Sequence, residues 1–204
     1  MTGLTPSELL AKVREVVERE RVKDRMVELS EDGTGYKCAP VKVSHRGSFW
    51  ALQVRSNDHL RLLFGSREDS EKSFCKLPDY LVFAEPRARK RKGGRGPDLL
   101  VLVCELKSSA AGVAGGARRQ VRLGKFLAEY LVRLGMFAAG CVKEEPLVDI
   151  CGLVVSPSYP SQVRARSATR ADEDAARGDL DVPSDMLVYT SSGDEELFVE
   201  DFFG

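Results

Sequence analysis

Two apolar runs constrain this chain more than any other feature. Tyr80–Phe83 and Leu99–Cys104 are built almost entirely from Val, Leu and aromatic residues, and turn-forming Pro and Gly bracket a strongly basic segment between them. Short β-branched and aromatic runs bounded by Pro and Gly read as strands. The expectation is two buried strands joined by an exposed loop.

Polar residues appear where chemistry would be placed. Asp79 opens the first strand, and Glu105 and Lys107 close the second. Strand side chains alternate with period 2, so Glu105 and Lys107 share one face while Cys104 and Leu106 share the other. Two acids and a lysine at one end of a sheet suit a hard divalent cation, which takes one or two carboxylates together with water and substrate phosphate. Asp79 and Glu105 are the candidate ligands, with the backbone carbonyl of Leu106 as a third. A bound ion acidifies its water and clamps phosphate oxygens, and Lys107 is placed to orient that water or offset developing charge. Phosphodiester hydrolysis with Mg²⁺ or Mn²⁺ is the reaction this set fits. A second Pro-Asp, Pro97-Asp98, begins the strand that ends in Glu105, so it lies roughly 20 Å from Glu105 along an extended chain and is the poorer candidate.

Pro78-Asp79, a strand, a hairpin and then Glu105-Leu106-Lys107 resemble the PD-(D/E)XK nuclease superfamily. The resemblance spans about Thr5 to Ser156 and identifies no subfamily. It implies an α/β fold with a restriction-endonuclease-like mixed β-sheet core flanked by helices in αβββαβ order. It also implies a metal-dependent nuclease in which Asp79 and Glu105 hold Mg²⁺ or Mn²⁺ and Lys107 assists the attacking water, with DNA favoured over RNA as substrate. The structural alternative is plain: Pro-Asp before a strand is common turn chemistry, and Glu-x-Lys at a strand end is often a solvated edge. The functional alternative keeps the fold without hydrolysis, as a nucleic-acid-binding or assembly module that docks a partner through an acidic tail.

Further residues are drawn in by pattern. Thr5-Pro6-Ser7-Glu8 reads as an N-cap, a Pro at the first helical position and a capping box, starting a helix expected to run to about Leu29. Leu9, Val13, Val16, Val17 and Val27 form one stripe of that helix, with Glu20 in its middle and Asp24 near its edge. An acid on an apolar face needs a partner, so Glu20 is either a paired core residue or a carboxylate delivered to the metal. Many members of the resembled family supply such a Glu from their first helix. A second helix is expected over residues 117–134, its apolar arc including Leu123, Leu127, Ala128, Tyr130, Leu131 and Leu134, with Gly124 permitting close approach to the sheet. Gln120 falls on that arc at the helix start and is a candidate for positioning substrate or metal-bound water. In the RecB-like branch of the superfamily a Gln here precedes a Tyr four residues on; position 124 of this chain is Gly.

Charge is distributed unevenly. The 204-residue chain has zero net charge, yet Arg87–Lys125 carries eleven Lys or Arg against two acids, and Ala171–Gly204 carries eleven acids against one base. Arg87, Arg89, Lys90, Arg91, Lys92 and Arg95 in the hairpin loop, with Arg118 and Arg119 at the second helix, are candidate phosphate contacts. The acidic, Phe-containing C-terminal segment either docks a protein partner, covers the basic groove or finishes the fold. A homodimer is a further option.

Apolar content of 43% and charged content of 30% are ordinary for a globular protein. No run approaches the roughly 20 apolar residues of a membrane span, and no signal-peptide core is visible, so a soluble, intracellular, cytoplasmic protein is expected, or a nuclear one in a eukaryote. Five scattered cysteines without any C-x-x-C give neither a disulfide framework nor a zinc site. His45 and His59 alone leave little material for a histidine metal site or a catalytic triad. Along the chain, short strands are expected at 40–43, 49–55, 60–64, 149–155 and 186–190, with Trp50 in the core. The nuclease core is placed at residues 1–156. A polar loop, a last edge strand and the acidic segment (157–204) pack on or extend the same domain.

Overall fold

The computed structural model describes residues 4–17, 22–24, 27–30, 41–54, 77–87, 96–107, 117–141, 145–156, 186–190 and 196–203. The elements in chain order are α1 (Pro6–Glu15), β1 (Val22–Asp24), β2 (Val27–Leu29), β3 (Val41–Ser44), β4 (Phe49–Gln53), β5 (Tyr80–Ala84), β6 (Leu99–Leu106), α2 (Arg118–Ala138), β7 (Val148–Ser156), β8 (Met186–Thr190) and β9 (Glu196–Phe198), which runs into a 3-10 helix over Val199–Phe202. The fold is mixed α/β. A six-stranded sheet in the order β1-β4-β5-β6-β7-β8 lies between the helices on one face and a three-stranded sheet, β2-β3-β9, on the other.

The unbroken apolar strands account for this layering. Every residue of β5 and β6 is buried. Leu81, Phe83, Val101 and Val103 join Leu9, Val13, Val121, Ala128 and Val132 on the helix side. Tyr80, Val82, Leu102 and Cys104 join Val27, Val43, Leu197 and Phe202 on the other. Trp50 is core, as expected, stacked on Phe83 at 4.5 Å between ring centroids, with its indole N–H donating to the Leu10 carbonyl.

Strands β4, β5 and β6 form an antiparallel meander. The chain then crosses over through α2 and returns as β7, parallel to β6 with Leu99 beside Val148. A strand-helix-strand unit whose strands are parallel and adjacent is the expected crossover. β8 adds to β7 as the sheet's last strand.

The first helix departs from expectation. Its start is as read, with Thr5 accepting from the Glu8 N–H and Glu8 reaching back to Thr5. It stops at Glu15 rather than near Leu29, and Val27 is a buried residue of β2. Two forces oppose further helix. Val16 and Val17 are β-branched, and β4 needs a neighbour, which Val22–Asp24 supplies with Val22 opposite Leu52. Arg14 meets Asp24 at 2.6 Å across the reversal. Asp24 therefore belongs to a surface ion pair and an edge strand.

The second helix extends to Ala138, beyond the expected 134, and Tyr130 is 58% exposed rather than part of the apolar arc. The C-terminal segment finishes the fold: β9 pairs with β3, and Leu197, Val199 and Phe202 are buried. The expected strand at 60–64, His59 and the polar segment 157–183 lie outside the described residues. Among the described residues no helix is long and apolar enough to cross a membrane.

Candidate active site

Backbone pairing puts the site's residues in register. Tyr80 stands opposite Cys104, and the Asp79 carbonyl accepts from the Val54 N–H at 2.8 Å, which carries the ladder one residue beyond β5. Continuing the β5–β6 register one position past Tyr80 and Cys104 sets Asp79 opposite Glu105. Directly opposed residues point to the same face with Cβ atoms about 5 Å apart. Alternation from Leu81 and Val103 makes that the face covered by α2.

Hydrogen bonds then fix the side chains. Asp79 Oδ2 accepts from the Leu106 N–H at 2.7 Å. The Lys107 N–H donates to the Val155 carbonyl at 2.8 Å, holding the Lys107 backbone to β7 past the end of β6. From there the Lys107 ammonium pairs with Glu105 Oε1 and donates to Gln120 Oε1 at 2.7 Å. Gln120 Nε2 in turn donates to the Leu77 carbonyl at 3.1 Å. One glutamine therefore ties the start of α2 both to Lys107 and to the segment leading into Asp79.

Gly124 makes this reach possible. A Cβ there would lie 2.4 Å from Val103 Cγ1 and 2.6 Å from Pro78 Cγ. Only a residue without a side chain lets the first turns of α2 press on the strand ends and on Pro78. The close approach expected of this glycine is what brings Gln120 to Lys107.

Burial makes the site electrostatically demanding. Glu105 is 1% exposed, and an ionised carboxylate at that depth needs a cation, here Lys107. Burial pushes the Asp79 carboxyl above the usual Asp range, opposed by the Leu106 N–H and then by the Lys107 charge. Cys104, on the opposite face, has its thiol pushed well up, by burial first.

The two carboxylates and the lysine expected to converge do so, and Gln120 joins them. Leu106 contributes backbone only, since its side chain is buried on the other face. Arg118 and Arg119, both half-buried, share the first turn of α2 with Gln120. Glu20 lies outside the described residues, as do Arg89, Lys90, Arg91, Lys92 and Arg95. Arg87 is described, and it stands at the far end of the hairpin, 4.0 Å from Glu200. The antiparallel pairing of β5 and β6 puts the exit from β5, and with it Arg87, opposite the end formed by Asp79 and Glu105; five residues of strand make that roughly 17 Å. The expectation that the start of the basic loop flanks the metal site is corrected accordingly for Arg87. Asp98 is also at the far end, capping the Leu147 N–H at 2.9 Å, as its place in the sequence required.

Sequence reading missed the Leu77 carbonyl and the Leu106 N–H, because backbone groups carry no residue-type signal. It also missed a polar cluster at the far end. The His45 ring, with no exposed side-chain surface, lies between the Glu85 carbonyl (2.7 Å from Nε2) and Glu200 (3.2 Å from Nδ1), and the Arg46 N–H donates to Glu200 at 3.0 Å.

Among the described residues no group of three or more His, Cys, Asp or Glu side chains is placed to hold a metal ion. Asp79 and Glu105 are two carboxylates, within the one or two that a Mg²⁺ ion completed by water and phosphate takes. Compared with protein-family models, curated proteins and solved structures, the chain matches none.

Proposed function

We propose that the protein is a metal-dependent nuclease of the PD-(D/E)XK kind, hydrolysing phosphodiester bonds of nucleic acid, DNA in preference to RNA. The observation that carries this reading is that the Asp79 carboxylate is bonded to the Leu106 N–H, next in the chain to Glu105, with Lys107 held between Glu105 and Gln120. The meander β4–β5–β6, then α2, then β7 parallel to β6, supports a restriction-endonuclease-like core, because it places the Asp at the start of one strand and the Glu-x-Lys at the end of its neighbour.

Asp79 and Glu105 would hold a Mg²⁺ or Mn²⁺ ion, with the Leu106 carbonyl as a third ligand. When bound, such an ion acidifies water and neutralises phosphate charge. Lys107 is the residue that steadies the attacking water or the developing negative charge, and Gln120 positions Lys107. Arg118 and Arg119, in the same helical turn as Gln120, are the phosphate contacts at this end.

The test is cleavage of plasmid, linear duplex, single-stranded DNA and RNA in Mg²⁺, Mn²⁺ or chelator. Wild type is expected to cut with metal only. Asp79→Ala and Lys107→Ala are each expected to lose about 10²–10³-fold in rate while circular dichroism shows the fold retained. Full activity in both variants, or a wild type that binds nucleic acid equally well in chelator and cuts nothing, removes the proposal.

A further inference from the structure

We propose that α2 is a homodimerisation helix, packing antiparallel against the α2 of a second copy of this chain about a twofold axis between positions 131 and 132. The inference is independent of the nuclease reading. It starts from the side of α2 that faces away from the sheet, where Phe126 and Phe137 are each 69% exposed and Tyr130 is 58% exposed. A contiguous exposed aromatic face of this kind marks an interaction surface.

The spacing identifies the partner. Phe126, Tyr130, Arg133 and Phe137 recur at intervals of 4, 3 and 4, the seam of two helices packed side by side. That pattern reads the same from either end. Antiparallel pairing sets Phe126 opposite the partner's Phe137 and Tyr130 opposite the partner's Arg133, each contact occurring twice, as an isologous interface requires. The first pair is aromatic on aromatic and the second is a cation over a ring face. Parallel pairing in register would instead set Arg133 against its own copy, a like-charge contact, so charge selects the antiparallel arrangement.

Shape agrees with chemistry. Beside Phe137 the surface opens into a cleft of about 500 Å³, lined by Arg133, Met136, Leu147, Val148 and Ile150 among others. Leu147 is 50% exposed at its rim. The cleft lies where the antiparallel register delivers the partner's Phe126. Three aromatic residues and Leu147, each exposing on the order of 100 Å², supply about half of the roughly 800 Å² per partner of a standard interface. The cleft walls, Glu129 among them, and the exposed Arg122 border the remainder. Nucleic acid is the other occupant that aromatic and Arg residues suit, but Glu129 is exposed within the stripe, where it repels phosphate and falls next to the partner's Arg133 in the dimer.

Sedimentation velocity of the full chain across micromolar concentrations is expected to show twice the 22.5 kDa mass. Phe126→Glu together with Phe137→Glu should weaken the dimer by about 30-fold per residue, with unchanged circular dichroism. Register is read separately: Phe126→Cys chains mixed with Phe137→Cys chains should oxidise to a 126–137 disulfide, identified by peptide mass. A wild type monomeric throughout, a dimer indifferent to the double substitution, or a dominant 126–126 disulfide overturns the proposal. So does a monomeric wild type whose oligonucleotide affinity falls in the Phe126→Glu, Phe137→Glu variant.

Discussion

Lys107 has two partners that do different things. Glu105 is buried and needs a counter-charge, whereas Gln120 fixes where the ammonium sits. Removing the cation therefore costs stability as well as chemistry. Lys107→Met is expected to destabilise by about 3 kcal/mol, the scale for leaving a buried charge uncompensated. Adding Glu105→Gln should restore a large part of that, measured by urea unfolding of both single variants and the double. Gln120→Leu leaves the ion pair but releases the tether, so stability should change little. The maximal rate should fall about 10- to 100-fold with binding of nucleic acid in chelator unchanged. If Gln120 only packs the helix end, the rate will hold and the melting temperature will drop instead.

Helix α2 is pinned against its surroundings by two glycines. Gly124 meets Val103 and Pro78, and at Gly135 a Cβ would stand 2.9 Å from Val13 N and 3.0 Å from Val13 Cα, where α1 crosses. Ala is the better helix former by about 1 kcal/mol, so an unhindered Gly→Ala change would stabilise. Here overpacking wins. Gly135→Ala is expected to destabilise by about 1–3 kcal/mol because the obstacle is backbone, which has no rotamer to change. Gly124→Ala should also lower the cleavage rate, since a helix pushed off Pro78 carries Gln120 away from Lys107. Thermal melts of both variants, with rates for Gly124→Ala, separate the two roles.

Across the molecule, the chain's last described segment closes the layer opposite the helices, and Glu200 secures it. Burial raises the Glu200 carboxyl, but its own backbone N–H, that of Arg46 and the His45 ring outweigh burial, and its pKa is lowered. A carboxyl lowered on folding adds stability that is complete above its unfolded pKa near 4.5 and is lost as pH falls through the folded value. Glu200→Gln should therefore flatten the decline in melting temperature below about pH 5 relative to wild type. An equal acid slope in both proteins would place the acid sensitivity elsewhere. The acidic aromatic segment thus acts within the fold, with Leu197 and Phe202 buried against the strands.

Much of this was legible in residue order. The unbroken apolar residues of 80–83 and 99–104 marked two buried strands; the Thr5 capping box marked where α1 begins; Gly124 announced a tight helix-sheet contact; and strand alternation alone put Glu105 and Lys107 on one side. These are short-range consequences of backbone geometry and side-chain period. Only the tertiary structure decided the rest. That α1 stops at Glu15 followed from an edge strand of the sheet claiming Val22–Asp24, a pairing made with residues nearly thirty positions away. That Asp79 faces Glu105 depended on the register of two strands separated by a long loop, and the same antiparallel geometry sent the start of that loop to the opposite end. Local sequence sets which way each residue points along its own element; which elements meet, and at which end, is settled by long-range pairing that no local pattern encodes.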